Sequence, residues 1–356
     1  MSEPQKILIF TGAGASVPLG LPASTGFVED IRSGMRSVTS SVIDYLGDGP
    51  SEDIEWILSA LESFRSEVSF TEHMLPLLVG GHANAVAGEP HIKARLGVFK
   101  DEASLELRRI KKLLFDRLNK YEPDQAASLY SSLIAQIRKR YSNASISLIT
   151  TNYDLTVETS IEHSKNDWKS LGIESFNFGF SNRFGRPIYD PGQDFGWSPS
   201  VVEYLKIHGS LDWHPDAQGN CSRSMSVTAP DDPDRMVILY PGFKGVPEKE
   251  PFISLHGRLH RRLSEADVVL VIGFAFRDAY VNSMFENTLR LRKDVQMLYF
   301  NPLPLDEHPA GSAAPRFAGL YPRFVHYASR FECADCPLTF PAVPETQVIE
   351  QSVSAA

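Results

Sequence analysis

Cysteine is scarce in this chain, and long apolar runs are missing. The 356 residues include 3 cysteines, which are Cys221, Cys333 and Cys336. Cys333 and Cys336 form a single Cys-x-x-Cys pair without the second pair that closes a tetrahedral zinc site, and a disulfide framework is not expected in the cytosol. No apolar run approaches the roughly 18 residues that span a bilayer. We therefore expect neither a metal centre nor contact with a membrane.

Positive charge is also in deficit, with 35 Lys and Arg against 44 Asp and Glu and a net charge of −9. A chain of this sign does not attract nucleic acid through its overall field, and its few basic clusters are explained by solvated helix faces. The apolar run Ile7–Phe10 begins almost at once, which leaves no room for a secretory signal before it. We expect a cytoplasmic protein without direct binding to nucleic acid.

Short runs rich in Ile, Val and Leu are what the chain has in quantity. Such runs, without polar alternation, predict strands of a parallel sheet that helices cover on both faces. The predicted strands are Ile7–Phe10, Ser145–Ile149, Glu203–Ile207, Met236–Leu239, Asp267–Ile272 and Val295–Phe300. Helical patterns lie between them. We predict an α/β fold with a Rossmann-like parallel sheet of about six strands and helices on both faces.

The helical pattern is densest between the first two predicted strands. It predicts a helical subdomain of residues 31–142, inserted in a core of residues 1–30 and 143–340. The stretch Lys165–Ser200, rich in Gly, Pro, Asn and aromatic residues, predicts a long ordered loop or a cover over the site. Residues 341–356 are polar and predict a flexible tail.

Four polar or glycine-rich motifs follow predicted strands, in a fixed order. Loops at the carboxyl ends of parallel strands bind ligands, so four such motifs together favour a nucleotide site. The motifs are Gly12-Ala13-Gly14-Ala15-Ser16, Thr150-Thr151-Asn152-Tyr153-Asp154, His208-Gly209-Ser210 and Gly273-Phe274-Ala275-Phe276-Arg277-Asp278.

The residue types in these motifs suit a nucleotide site, although each also has a structural explanation. Gly12 and Gly14 allow a tight turn and close approach to a diphosphate, but glycine-rich turns without a ligand are common. Asn152 has an amide that donates to and accepts from a ribose hydroxyl. A histidine such as His208 can accept a proton at neutral pH, whereas a lone histidine after a strand is more often structural.

The remaining motif residues leave two interpretations open. Asp154 fits a ligand contact and equally an N-cap of the helix that begins at Leu155. Arg277 can meet a phosphate or pair with a surface acid. Capping signals for the helices that follow are predicted at Ser51-Glu52-Asp53 and at Asp278, and Tyr153 is predicted to pack rather than to catalyse.

The ordered motifs resemble the sirtuin superfamily, from about Ile7 to Asn301. In that family GAG-x-S cradles the NAD pyrophosphate, T-x-N-x-D carries polar residues at the nicotinamide end, and H-G carries the catalytic histidine. The resemblance implies NAD as the substrate, with Asn152 and His208 as catalytic residues. The residues it implies for NAD binding are Gly12, Ala13, Gly14, Ser16, Thr151, Asp154, Gly209, Ser210, Gly273, Phe274 and Asn301. Asn301 also fits a turn before Pro302.

The resemblance is closer to divergent bacterial sirtuin-like proteins than to protein deacylases. Tyr153, Ser210, Trp213 and the GFAFRD motif point there, as does the missing zinc module in mid-chain. It implies an NAD glycohydrolase that releases nicotinamide and ADP-ribose and depletes NAD in anti-phage defence by abortive infection. It also implies a homo-oligomer and a separately encoded activator, with a HerA-type ATPase as the expected partner. An NAD-dependent protein deacylase and a non-catalytic module that binds NAD or ADP-ribose are the alternatives.

Overall fold

The computed structural model describes residues 4–48, 50–79, 89–183, 185–194, 196–224, 235–240, 247–309 and 311–329. Cys333, Cys336 and the predicted tail of residues 341–356 lie outside the described residues.

In the described part of the chain, only helices lie between the first two strands, six strands follow one another from Ser175 to Arg223, and helices alternate with strands from Phe252 onward. The strands are β1 (Lys6–Thr11), β2 (Ser145–Thr150), β3 (Ser175–Asn177), β4 (Phe180–Arg183), β5 (Arg186–Tyr189), β6 (Val201–Lys206), β7 (Trp213–Pro215), β8 (Cys221–Arg223), β9 (Val268–Ile272), β10 (Gln296–Phe300) and β11 (Phe324–Tyr327). The helices are α1 (Val28–Arg32), α2 (Ser37–Leu46), α3 (Ile54–Val79), α4 (Glu89–Leu118), α5 (Pro123–Arg140), α6 (Thr156–His163), α7 (Lys165–Ser170), α8 (Phe252–Glu265), α9 (Ala279–Leu291) and α10 (Ala314–Leu320). Short 3-10 turns cover Ala13–Leu19, Ser24–Phe27, Pro50–Glu52 and Leu305–Glu307.

Seven strands form one parallel sheet in the order β3-β6-β2-β1-β9-β10-β11. If the edge strand β3 is set aside, the strands stand in the doubly wound order 3-2-1-4-5-6 of a Rossmann fold. The predicted α/β class and parallel sheet are therefore confirmed. The order also places β1 at the centre, where the chain reverses its direction of progress across the sheet and ligands generally bind.

The apolar pattern of the strands follows from their position between two helical layers. Leu8 and Phe10 of β1 pack on one face, in a cluster with α8 and α9. Ile7 and Ile9 pack on the other face, in a cluster with α5. Because successive side chains of a strand point to opposite faces, a strand buried on both sides is apolar at every position.

One predicted strand is wrong, and two short strands of the parallel sheet were not predicted. Met236–Leu239 is not a strand of the sheet, and Ile238 makes only an isolated bridge with Gly209. Met236 is instead buried in the core of the helical segment, which explains its apolar run without strand pairing. The missed strands β3 and β11 lie at the two edges of the sheet.

The stretch Lys165–Ser200 is more regular than the predicted loop. It contains α7 and β3, followed by the hairpin of β4 and β5. That hairpin joins β8 and β7 in a second, antiparallel sheet of four strands, in the order β4-β5-β8-β7.

A third apolar core lies among α1 to α4. It includes Ile57 of α3 and Leu107 of α4, and also Tyr153 and Leu211 from the loops after β2 and β6. The helical segment thus shares its core with the strand-end loops, whereas α5 packs on the sheet. The division into a core and an inserted helical subdomain stays a prediction. Within the described residues, no helix combines the length and the apolarity needed to cross a bilayer.

Candidate active site

The four motifs meet at one edge of the parallel sheet. The register pairs Thr11 of β1 with Thr150 of β2 and with Ile272 of β9, and Thr150 with Lys206 of β6. The strands therefore end at the same level, and the loops that follow them lie side by side. Thr151 ties two of these loops together, because its N–H donates to the Thr11 carbonyl at 3.0 Å.

A buried chain of hydrogen bonds joins the first two motifs. The Ser16 hydroxyl donates to Asp154 Oδ2 at 2.8 Å, and Asn152 Nδ2 donates to Ser16 Oγ at 3.1 Å. Asp154 Oδ1 accepts from the Thr156 N–H at 3.1 Å and from the Thr156 hydroxyl at 2.6 Å, so Asp154 caps the first turn of α6. Asp154 thus orients Ser16, and Ser16 orients the Asn152 amide so that its Oδ1 remains for another partner.

His208 lies between the carboxylate of Asp278 and the ring of His256. The His208 Nε2 is 3.2 Å from Asp278 Oδ2, which is an ion-pair distance. The ring of His256 stacks on it, with centroids 5.9 Å apart and planes inclined by 24°. Burial, and then the charge of His208, lower the pKa of His256 to about 4, so His256 is neutral at physiological pH. The His256 Nδ1–H donates to the Phe252 carbonyl at 2.8 Å in this neutral form.

Asp278 has the two roles that its position suggests. Its Oδ1 accepts from the Val281 N–H at 2.9 Å, which confirms the predicted cap of α9. Burial acts to raise the pKa of Asp278, but the neighbouring His208 and the Val281 N–H outweigh burial and hold the pKa below its usual value. Asp278 is therefore an ionised carboxylate beside His208 at neutral pH.

Several buried polar atoms at this edge have no hydrogen-bond partner among the described residues. They are Thr11 Oγ1, Asn152 Oδ1, both ring nitrogens of His208, and Ser210 Oγ. Buried polar atoms are nearly always paired, and an unpaired group calls for an explanation such as a ligand. These atoms follow three adjacent strands, β1, β2 and β6. Their convergence fits a polar ligand with several hydroxyl or amide groups.

The glycines of the first and fourth motifs allow two loops to touch. A Cβ on Gly12 would lie 2.7 Å from Phe274 Cα, and a Cβ on Gly14 would lie 2.8 Å from Gly273 Cα. Gly273 has a φ of 62°, and a Cβ there would overlap the backbone nitrogen of Ala15. The N–H of Gly12 donates to the Ile272 carbonyl and that of Gly14 to the Gly273 carbonyl. Loop contact thus explains these glycines, while Ala13 begins the 3-10 turn between the loops.

Gly209 is required by another close contact. Its φ is 89°, and a side chain there would overlap the Val237 carbonyl oxygen. The loop after β6 is held against this segment, because the Leu239 N–H donates to the His208 carbonyl at 2.8 Å.

The side chains of Phe274 and Asn301 make contacts with other residues of the protein. Phe274 is buried in an aromatic cluster, with its ring 5.0 Å from those of Phe10 and Phe276. Asn301 Nδ2 donates to the Tyr299 hydroxyl at 2.8 Å, and its Oδ1 accepts from the Leu303 N–H at 3.0 Å. The second contact is that of a turn residue, as the Asn-Pro sequence predicts.

Arg277 forms an ion pair with an acidic side chain. Arg277 pairs with Asp53, which precedes α3, and its Nη2 donates to Ser24 Oγ at 2.9 Å. Asp53 is 3% exposed, so this acid is buried rather than on the surface. The pair joins the fourth motif to the helical segment.

In a comparison with known proteins, one family model matches part of the chain. A family model described as the SIR2-like domain matches residues 146–314. This segment is similar to that family, and we call it the sirtuin-like segment. It contains the second, third and fourth motifs and Asn301, and it begins after the glycine motif. A sequence comparison with curated proteins gives no match.

Solved Sir2 structures resemble the chain at low identity. A Sir2 homologue in complex with NAD is 14% identical, with 92% of this chain and 86% of that chain covered and a TM-score of 0.41. A Sir2 protein bound to an acetylated peptide is 13% identical, with 92% and 90% covered and a TM-score of 0.41. A Sir2 homologue mutant in complex with ADP-ribose is 16% identical, with 87% and 86% covered and a TM-score of 0.40. These likenesses are too distant to carry an argument about the site.

Sequence reasoning did not assign three polar residues to the site, although one of them, Asp53, carries a capping signal, and all three lie before the matched segment. Thr11 ends β1, Asp53 caps α3 and pairs with Arg277, and Glu55 Oε1 lies 2.8 Å from the Tyr153 hydroxyl oxygen. The polar end of an otherwise apolar strand could have indicated Thr11. No local signal indicates that the first turn of α3 docks on loops that follow β2 and β9.

A cavity of about 570 Å³ lies outside the group of four motifs at the strand ends. Its wall includes Glu158 of α6, the aromatic side chains of β3 and β4, and the pair of Asp212 and Arg223. None of the predicted site residues lines it. Among the described residues, no group of three or more His, Cys, Asp or Glu is arranged to hold a metal ion.

Proposed function

We propose that the chain is an NAD glycohydrolase that cleaves NAD to nicotinamide and ADP-ribose. The observation that carries the proposal is the convergence of unpaired buried polar atoms at the ends of β1, β2 and β6. NAD offers the ribose hydroxyls and the carboxamide that such atoms can bind. The sirtuin-like match over residues 146–314 supports the same ligand.

The chemistry assigns a distinct task to each catalytic residue. The bond between nicotinamide and ribose breaks through an oxocarbenium-like transition state, as in glycoside hydrolysis. In our proposal Asn152 Oδ1 accepts from a ribose hydroxyl or from the attacking water, because Ser16 already holds the amide nitrogen. His208 accepts the proton of that water, and the ionised Asp278 beside it stabilises the resulting imidazolium.

The remaining predicted residues would bind the rest of NAD. We place the diphosphate at the loop of Ala13 to Ser16 and the adenosine half near Gly273 and Asn301. The N–H groups of Gly12 and Gly14 donate within the protein, so phosphate binding there depends on other donors of the loop.

A paired assay tests the reaction class. The purified chain is incubated with a fluorogenic NAD analogue and, separately, with NAD and an acylated peptide. Release of ADP-ribose without peptide supports the glycohydrolase. Turnover that requires the acylated peptide identifies a deacylase, and NAD binding without turnover identifies a binding module.

The biological setting of this activity is part of the proposal. An enzyme that destroys NAD must be held inactive until it is needed, and the resemblance of the motifs suggests an NAD-depleting effector of anti-phage defence in the cytoplasm. We propose that the chain forms a homo-oligomer through its helical segment and is activated by a separately encoded HerA-type ATPase. Exposed Tyr45, Val98, Phe99 and Leu105 in that segment support an interface there. NAD consumption measured with and without the ATPase tests the activation.

A further inference from the structure

The first turn of α3 is docked on the strand-end loops. Asp53 Oδ1 accepts from the Glu55 N–H at 2.9 Å, and Asp53 also pairs with Arg277. Two residues into the turn, Glu55 Oε1 lies 2.8 Å from the Tyr153 hydroxyl. The helical segment thus brings a partly buried carboxyl group to the second motif.

The hydrogen bonds of Tyr153 indicate the protonation state of Glu55. The Tyr153 hydroxyl oxygen lies 2.8 Å from Glu55 Oε1 and 3.0 Å from the Leu239 carbonyl oxygen. A phenol has one proton, and a carbonyl oxygen can only accept. An ionised Glu55 would compete with Leu239 for that proton. A neutral Glu55 donates to the phenol oxygen while the phenol donates to Leu239, so both contacts are satisfied.

The charges around Glu55 favour the same neutral form. The charged and titratable groups near it are Asp53 of its own turn, Arg277 and Asp278 after β9, Tyr153 after β2, and His208 after β6. Burial first, and then the negative charge of Asp53, raise the pKa of Glu55 to about 7, although His208 and the Tyr153 hydroxyl act in the opposite direction.

We propose that Glu55, in its neutral carboxylic acid form, is a positioning residue that holds Asn152 and His208 in place through Tyr153. Tyr153 is the neighbour of Asn152 in the chain. Leu239 accepts from Tyr153 and donates its own N–H to the His208 carbonyl at 2.8 Å. One chain of hydrogen bonds therefore connects the acid to both catalytic loops. The effect on catalysis rests on the proposed function, whereas the protonation of Glu55 does not.

The pH dependence follows from the direction of the pKa shift. The pKa of Glu55 is raised from 4.5 to about 7 in the folded protein, so folding favours the protonated form. The contribution of Glu55 to stability is complete below pH 4.5 and is lost as the pH rises through about 7. Glu55→Gln keeps a neutral donor at this position and removes the titration.

Urea unfolding at pH 6 and pH 8.5 tests the protonation state without NAD. From pH 6 to pH 8.5, the ratio of folded to unfolded protein should fall by about tenfold more for the wild type than for Glu55→Gln. Glu106→Gln is the matched control, because Glu106 is a buried glutamate of α4 whose hydrogen bonds with Arg109 and Thr39 outweigh burial and lower its pKa. The difference in free energy of unfolding between Glu106→Gln and the wild type should be the same at pH 6 and at pH 8.5. A difference between wild type and Glu55→Gln that is constant with pH would overturn the proposal.

NAD turnover against pH tests the positioning role. We expect wild-type turnover to decline above about pH 7, Glu55→Ala to be impaired throughout, and Glu55→Gln to restore turnover without the alkaline decline. A Glu55→Gln variant that is inactive at every pH, or that declines as the wild type does, would overturn the positioning role. If the wild type cleaves no NAD at any pH, the proposed function fails and the unfolding experiment still decides the protonation of Glu55.

Discussion

Asn152 and His208 differ in how their polar atoms are engaged. Asn152 Nδ2 donates to Ser16, which leaves Oδ1 unpaired, whereas neither nitrogen of His208 has a hydrogen-bond partner among the described residues. Because both side chains are almost fully buried, their unpaired atoms carry a desolvation cost that a bound substrate would offset. This is the residue-scale basis for assigning catalysis to these two positions.

Removal of either side chain should therefore affect turnover far more than folding. We expect His208→Ala to lower kcat for NAD cleavage by about 10²–10⁴-fold through the loss of general base catalysis. Asn152→Ala should also come close to abolishing turnover. His260→Ala, which removes an exposed histidine of α8, is the control and should keep wild-type activity. Circular dichroism confirms folding, and near-wild-type hydrolysis by either site variant would refute its catalytic role.

Ser16 gives a finer test of how Asn152 is oriented. Ser16→Ala removes the hydroxyl between Asp154 and Asn152, so the amide of Asn152 can rotate and Asp154 Oδ2 loses its donor. We expect a destabilisation of about 1–3 kcal/mol and a fall in kcat that is larger than the change in KM. Thermal unfolding and steady-state kinetics measure the two effects. A variant with full kcat would show that Ser16 does not position the amide, and Ser264→Ala, at an exposed serine, serves as the control.

Residue roles could be predicted only where a local pattern carries them. The caps formed by Asp53 and Asp278 follow from an acidic residue just before a helical pattern, and both are observed. The partner of Arg277 could not be predicted, because Asp53 lies more than two hundred residues away in the chain. Glu55 gave no signal for the same reason, since its burial depends on where α3 docks.

At the scale of elements, the contact between α3 and the loop after β9 joins the helical segment to the site. Arg277 and Asp53 form the ion pair, and the same carboxylate accepts from the N–H at the start of α3. Removing one member of a buried pair leaves the other charged and without a partner. We expect this contact to contribute strongly to the stability of the whole chain.

Asp53→Ala should lower the free energy of unfolding by about 3 kcal/mol, because it removes the helix cap and leaves Arg277 unpaired. Glu52→Ala, at the exposed neighbouring acid, should change stability by less than about 0.5 kcal/mol. Urea denaturation of both variants measures the difference. Equal effects of the two substitutions would show that the ion pair does not hold the helical segment.

The strands show why some elements could be predicted and others could not. Five of the predicted strands are buried on both faces and read as uninterrupted apolar runs, so they match β1, β2, β6, β9 and β10. The edge strands β3 and β11 have 3 and 4 residues, too few for a pattern. Met236–Leu239 has the composition of a strand but packs on the Gly209 loop and the helical core, so burial without pairing produced the wrong prediction.

At the scale of the whole molecule, the apolar side chains that remain exposed are informative. Val98 and Leu105 are 58% and 46% exposed on α4, and their spacing of seven residues places them on one helix face. Such a face fits the contact with a second copy that we propose.

Light scattering on the full chain should accordingly give a mass at least twice that of the monomer. Val98→Lys combined with Leu105→Lys should reduce the mass to that of the monomer, because two charges would be buried at the interface. Leu320→Lys, at an exposed leucine of α10 that is 59% exposed, should leave the assembly intact. A wild-type chain that is monomeric at all concentrations would refute this interface.

In our proposal, the buried polar groups at the strand ends bind NAD, and Asn152 and His208 cleave it. Chromatographic separation of the products after incubation with NAD, for the wild type and His208→Ala together with any required activator, tests it most directly. We expect equal amounts of nicotinamide and ADP-ribose from the wild type and almost none of either from His208→Ala. Intact NAD after incubation with the wild type and its activator, or equal product from both proteins, would contradict it.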